Sequence, residues 1–132
     1  MGAFNAKIEN SFNNTLKRLI SSYAKNPELK KIPFIDFGKE GVHGLSYRVG
    51  QMMFSLLYDL LEEESFLNTH QKFYEEYYDT GATFSQFVEF YKSHCNVDLD
   101  QFFSDWVFTS NYTRFINTDY DFNKIINFYK SK

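Results

Sequence analysis

Bulky apolar residues recur at helical spacing along most of this chain, and the stretch from 99 to 108 does so most clearly. Its apolar side chains stand at i, i+3, i+4, i+7 and i+8, which form one face of an α-helix: Leu99, Phe102, Phe103, Trp106 and Val107. Asp98 just before the stretch and Gln101 three residues later are typical of a helix N-terminus. The stretch therefore predicts a buried amphipathic helix that contains a tryptophan.

Two longer segments upstream carry the same spacing, and a glycine-rich link separates them. The first helix is predicted over about residues 4–23 and ends before Asn26-Pro27, since a residue that precedes proline avoids the helical conformation. The link runs from Asn26 to Ser46, the predicted N-cap of the second helix. Gly50 in the first turn of that helix indicates close backbone approach by another element or by a ligand. The apolar side of the second helix consists of Met52, Met53, Leu56, Leu57 and Leu60.

Three further helices complete the pattern. The third is predicted over residues 63–78 and ends at Gly81, with one face made of Phe66, His70, Phe73, Tyr74 and Tyr77. Thr83 and Gln86 form a capping box for the next helix, whose predicted buried stripe is Phe84, Phe87, Val88 and Tyr91. Asp121 caps the last helix, with Phe122, Ile125, Ile126 and Tyr129 facing inward. We therefore predict an all-α fold, an irregular bundle or array of about six helices, as a single domain over residues 1–132.

Charge and hydropathy argue against two kinds of partner, nucleic acid and the membrane interior. The chain has 14 Lys and Arg residues against 17 Asp and Glu residues, a net charge of −3, and no basic stripe, so nucleic acid is not an expected partner. No apolar run is long enough to span a bilayer, and the first residues lack the apolar core of a signal peptide. The expectation is a soluble chain of undetermined compartment.

Motifs for chemistry are sparse. His43, His70 and His94 are not spaced as metal ligands, and none belongs to a His-Glu-x-x-His motif, so no metal ligand is predicted in this chain. Cys95 is the single cysteine, so no internal disulfide can form. The roles of His43 and Cys95 stay open. Motifs alone do not support an enzyme.

Several segments nevertheless resemble a known family in their order and spacing. These segments are YRVG at 47–50, LLYDLLEEESF at 56–66, FYEEYY at 73–78, ATFSQF at 82–87 and LDQFFSDWVF at 99–108. Together they resemble the C-terminal part of the catalytic domain of zinc aminopeptidases of the aminopeptidase N and leukotriene-hydrolase (gluzincin) type. The resemblance covers about residues 46–107, and Tyr47 and Gly50 match the family's Tyr-x-x-Gly helix start whereas Arg48 and Val49 depart from it.

The resemblance implies a function for Tyr47. In that family the matching tyrosine donates a hydrogen bond to the oxyanion of the tetrahedral intermediate, opposite the zinc. The resemblance thus implies a fragment or decayed relative of a zinc metallo-aminopeptidase, a peptide hydrolase, that is inactive alone. Zinc is implied only for a full-length parent. The implied partners are the zinc-binding half of the parent chain and, in the parent, a peptide substrate.

A second hypothesis has no catalytic component. The chain would then be a helical protein-interaction domain, and its distinguishing feature would be a large exposed aromatic patch, since Phe and Tyr are numerous. Under either hypothesis an uncovered apolar face would allow self-association.

Overall fold

The structure, a computed structural model, describes the backbone of residues 2–131 and the side chains of residues 6–42 and 44–131. Within this range the regular secondary structure is helical, which confirms the all-α prediction. The α-helices are α1 (Gly2–Lys25), α2 (His43–Leu61), α3 (Glu63–Tyr77), α4 (Phe84–His94), α5 (Asp100–Phe103) and α6 (Phe122–Lys130). Short 3₁₀ segments at Pro27–Lys31, Phe34–Asp36 and Asn111–Phe115 fill the longer connections.

The start of α2 differs from the prediction. Ser46 is not the N-cap: α2 begins at His43, and Ser46 lies inside it, with its N–H donating to the carbonyl of Val42 at 3.1 Å. The prediction was wrong because a turn upstream decides the start. Gly41 has a φ of +75°, and the N–H of Val42 donates to the carbonyl of Phe37 at 3.0 Å. This turn directs the chain into the helix three residues before Ser46.

The helix α2 is the central element of the core. Its predicted apolar side is buried, as Met52, Met53, Leu56, Leu57 and Leu60 all are. The close approach predicted at Gly50 is also confirmed, because a Cβ at this position would lie 3.3 Å from the ring of Phe34. The approaching group is therefore a side chain from the link between α1 and α2.

The helices α3 and α4 form an antiparallel pair whose local signals are confirmed. Gly81 has a φ of +72°, and its N–H donates to the carbonyl of Tyr77 at 2.8 Å. Both bonds of the Thr83–Gln86 capping box are present. The predicted stripe of α4 needs one correction: Phe84 is 40% exposed, whereas Phe87, Val88, Phe90 and Tyr91 are buried. Phe84 is the first residue of α4, and all residues from 81 to 86 are exposed, so little of the chain covers its ring.

The stretch from 99 to 108 is helical, but its second half is wider than an α-helix. Its predicted apolar face is fully buried. After α5 the chain forms a π-turn at Ser104–Phe108, closed by the N–H of Thr109 donating to the carbonyl of Ser104 at 3.0 Å. The prediction of Asp98 as the N-cap was wrong by one residue: Leu99 is the N-cap, and the Asp98 carboxylate accepts from the N–H of Asp100 at 3.0 Å in the turn before the helix.

The π-turn places Asp105 in the interior, where its carboxylate joins three parts of the chain. It accepts hydrogen bonds from Gln101 Nε2 at 2.9 Å, Arg114 Nη2 at 2.6 Å and Tyr129 Oη at 2.7 Å. The Arg114 guanidinium also lies over the ring of Phe128, 4.9 Å from its centroid. Asp105 thereby fixes α6 and the segment Asn111–Phe115 against α5.

Candidate functional site

A concave groove lies between α2 and the α3–α4 pair, and aromatic rings form most of its wall. Its volume is about 420 Å³. Eight of its lining residues are aromatic: Phe34, Phe54, Phe73, Tyr74, Tyr77, Tyr78, Phe84 and Phe87. The lining contains no Asp, Glu, Lys or Arg side chain. The groove is therefore an apolar site that offers few polar groups.

The groove follows from the way α3 and α4 are joined. The positive φ of Gly81 and the Thr83 cap return the chain as α4, so Phe73 of α3 meets Phe87 of α4 edge to face at 5.5 Å between ring centroids. On the other wall Phe34 meets Phe84 in the same manner at 5.1 Å. These contacts hold the walls but leave rings uncovered at the rim.

The rim carries side chains that a helical stripe would normally bury. Tyr74 is 55% exposed and Tyr78 is 68% exposed, and Phe54 and Phe84 are also exposed. All four line the groove. A cluster of uncovered aromatic residues on a concave surface is typical of a binding site.

One ionisable side chain in the wall is held in a fixed orientation. His70 on α3 lines the groove, and its Nδ1 lies 2.9 Å from the hydroxyl of Tyr91 on α4. The imidazole also stacks on Phe66, with centroids 5.7 Å apart and planes 5° from parallel. Tyr91 itself is buried, and burial raises the pKa of its phenol above the usual range, so the hydroxyl keeps its proton.

Tyr47, the candidate catalytic residue of the sequence, lies elsewhere. It is on the second turn of α2, its side chain is 82% exposed, and it is not among the residues that line the groove. The resemblance to aminopeptidases therefore points to a different surface from the one that the cavity and the exposed rings point to.

The other candidate residues from the sequence are two histidines and the cysteine. The side chain of His43 lies outside the described residues. His94 Nδ1–H donates to the carbonyl of Phe90 at 2.9 Å, and its ring stacks on Phe90 at 3.9 Å. Cys95 Sγ lies 3.6 Å from the hydroxyl of Thr69, and burial raises the pKa of its thiol. A raised pKa lowers the thiolate fraction and makes Cys95 a poor nucleophile.

The described part of the chain has neither a metal-ligand cluster nor a membrane-spanning helix. Among the side chains of residues 6–42 and 44–131, no group of three or more His, Cys, Asp and Glu is placed to hold a metal ion. In the same range no helix has both the length and the apolar character needed to cross a membrane.

Comparisons with known proteins do not identify a family. The chain matches no protein-family model, no curated protein and no solved structure. The resemblance to zinc aminopeptidases therefore stays a prediction, and function has to be argued from the geometry of the chain itself.

Sequence reasoning found part of the groove and missed the rest. It placed His70, Phe73 and Tyr74 on one face of α3 and assigned that face to packing. It could not find Phe34 and Phe54, because the link and the outer side of α2 carry no periodic signal that directs them to this place. One signal could have indicated the groove: α3 has a long aromatic face, and only the short helix α4 follows to cover it.

Proposed function

We propose that this chain is a binding domain whose groove between α2, α3 and α4 takes a small, largely apolar molecule with an aromatic ring. The observation that carries the proposal is the aromatic wall around a cavity of about 420 Å³. Ligand sites in proteins occupy about 300–1,000 Å³ and are lined mainly by apolar and aromatic side chains. The exposed rings of Tyr74 and Tyr78 at the rim supply apolar surface that a ligand would cover.

The affinity should be modest for a single-ring molecule. Burying an aromatic group of about 150 Å² at about 25 cal/mol per Å² gives about 4 kcal/mol before the entropic cost of association is subtracted. Contacts with ring edges and faces add about 1 kcal/mol. The sum of about 5 kcal/mol corresponds to about 0.2 mM before that cost, so we expect dissociation constants of about 1 mM or weaker for benzene derivatives.

The test is an NMR titration with ethylbenzene. We expect amide shifts confined to the groove, and a loss of affinity of about threefold or more in the double variant Tyr74→Ser/Tyr78→Ser. Tyr47→Ser is the matched control, because it removes an exposed tyrosine outside the groove lining. Absence of binding, or equal weakening by the control, would refute the proposal.

The occupant can also be a ring that belongs to a protein, as the interaction-domain hypothesis holds. A peptide with one Phe among polar residues tests this source. Binding more than about tenfold tighter than that of ethylbenzene would show that the groove is part of a longer peptide site, whereas equal affinity would favour the free molecule. Concentration-dependent dimerisation that the Tyr74→Ser/Tyr78→Ser variant abolishes would instead make a second copy the occupant.

A second candidate function follows from the aminopeptidase resemblance, and the exposure of Tyr47 favours it. An oxyanion donor must be accessible to substrate, and the Tyr47 side chain is 82% exposed. In this proposal a zinc-binding half supplies metal-activated water, and the Tyr47 phenol stabilises the oxyanion. A coding sequence with His-Glu-x-x-His upstream would support it. In the joined protein Tyr47→Phe should then lower kcat by about 10²–10³-fold, and an unchanged kcat would contradict it.

A further inference from the structure

The hydrogen bond between His70 and Tyr91 fixes which ring nitrogen of His70 carries a proton. Tyr91 is 0% exposed, and its hydroxyl has one hydrogen-bond partner among the described residues, His70 Nδ1. The nearby Cys95 Sγ pairs with Thr69 instead. A buried O–H without an acceptor is costly, so the phenol donates and Nδ1 accepts. In the neutral imidazole the proton then resides on Nε2.

We propose that His70 presents its Nε2–H to the groove as a hydrogen-bond donor, and that the ligand is an aromatic molecule carrying one oxygen acceptor. This inference rests on the proposed function. It adds a hydrogen bond from His70 to the apolar contacts that the aromatic wall provides. A molecule whose ring fills the cavity and carries a carbonyl oxygen would make both kinds of contact.

The donor is positioned before any ligand arrives. The bond to Tyr91 and the parallel stack on Phe66 hold the imidazole from two directions. Among the other polar groups in the wall, the Thr83 hydroxyl already accepts from the Gln86 N–H, and the phenols of Tyr74 and Tyr78 belong to exposed side chains at the rim. Because His70 is also exposed to solvent, water can pair with this donor when no ligand is bound, so we expect only a several-fold preference for molecules that can accept its hydrogen bond.

Two probes of similar shape separate this inference from the proposed function. Acetophenone carries a carbonyl acceptor, whereas ethylbenzene carries none. The variant His70→Phe keeps a ring but has no N–H. We expect it to weaken acetophenone binding about fivefold and to leave ethylbenzene binding within about twofold, as loss of one hydrogen bond would do.

The variant Tyr91→Phe tests the positioning role without touching the lining of the groove. Removing its hydroxyl frees Nδ1 to take the proton, so acetophenone should bind about two- to threefold more weakly and ethylbenzene unchanged. A long-range ¹H–¹⁵N spectrum at about pH 8 reports the tautomer directly. We expect the Nε2–H form in the wild type and a mixture in Tyr91→Phe.

The outcomes are distinct. Ethylbenzene binding with no selective loss of acetophenone in His70→Phe would overturn the inference and leave the proposed function standing. An Nδ1–H tautomer in the wild type would overturn it as well. Failure of both probes to bind would overturn the proposed function itself. Should His70→Phe fail to fold, the Tyr91→Phe titration and the wild-type spectrum decide.

Discussion

Replacing Asp105 with alanine should be among the most damaging single changes in this chain. The carboxylate is 0% exposed and accepts three hydrogen bonds, from Gln101, Arg114 and Tyr129. Each bond to a charged group contributes about 1.5–3 kcal/mol, and an unpaired buried donor adds a penalty of similar size. All three donors lose their acceptor in the variant.

Access of solvent to the three donors reduces the loss of stability in Asp105→Ala. Arg114 is 44% exposed and Gln101 is exposed, so water can satisfy both after the substitution. Tyr129 is only half-buried, but its hydroxyl faces the space that the carboxylate leaves, and it bears most of the unpaired cost. We therefore expect Asp105→Ala to lower the free energy of unfolding by about 2–4 kcal/mol, out of a total of about 5–15 kcal/mol.

Urea denaturation followed by circular dichroism measures this change. The midpoint should fall with the m-value unchanged, because the surface exposed on unfolding is nearly the same. Asp119→Ala is the control: Asp119 is exposed, and its substitution should stay within about 0.5 kcal/mol. A double-mutant cycle with Arg114→Met should give a coupling of at least about 1 kcal/mol. A loss below about 1 kcal/mol in Asp105→Ala, or additive single changes, would refute the reasoning.

Three further predictions concern stability. Burial raises the pKa of Tyr23 to about 12, so on raising the pH the unfolded chain loses this proton before the folded chain does. The free energy of unfolding should therefore fall between about pH 10 and 12, by up to about 1.4 kcal/mol per pH unit for this group. Urea denaturation at several alkaline pH values should show a shallower fall in Tyr23→Phe. Thr83→Ala removes the side chain that caps α4 and should cost about 1 kcal/mol in the same denaturation assay, whereas Ser85→Ala should cost less than about 0.5 kcal/mol. Gly50→Ala gains up to about 1 kcal/mol of helix propensity but brings a Cβ within 3.3 Å of Phe34, so we expect almost no change in stability by thermal melting. Gly50→Val should lower the stability by at least about 2 kcal/mol.

Local signals in the sequence predicted the helices well because each depends on residues a few positions apart. The Thr83–Gln86 capping box, the Asp121 cap and the Gly81 terminus all act within one turn, and all three are present. The start of α2 failed because the turn before it depends on the bond between Val42 and Phe37, which no capping pattern encodes. The sequence carried a competing signal in Ser46, and that signal was the wrong one.

Asp105 shows a second limit of sequence reasoning. Regular α-helical spacing along 99–108 selects the apolar residues on either side of it and gives no reason to bury a carboxylate. The π-turn alters the spacing at this point, and Arg114 and Tyr129 reach Asp105 from segments 9 and 24 residues away. The partners that make burial tolerable are brought together only by the tertiary fold.

The close approach at Gly50, which the sequence predicted, involves Phe34, a wall of the groove that the sequence did not predict. The pattern indicated close approach by an element or a ligand, and the approaching group, Phe34, is also a wall of the groove. Phe34 contacts Gly50 on one side and the ring of Phe84 on the other, at 5.1 Å between centroids. A side chain at position 50 would therefore displace a wall of the groove as well as disturb the core. The absence of a side chain there lets Phe34 keep its present position in the wall, so in the proposed binding domain Gly50 would affect the shape of the groove without lining it.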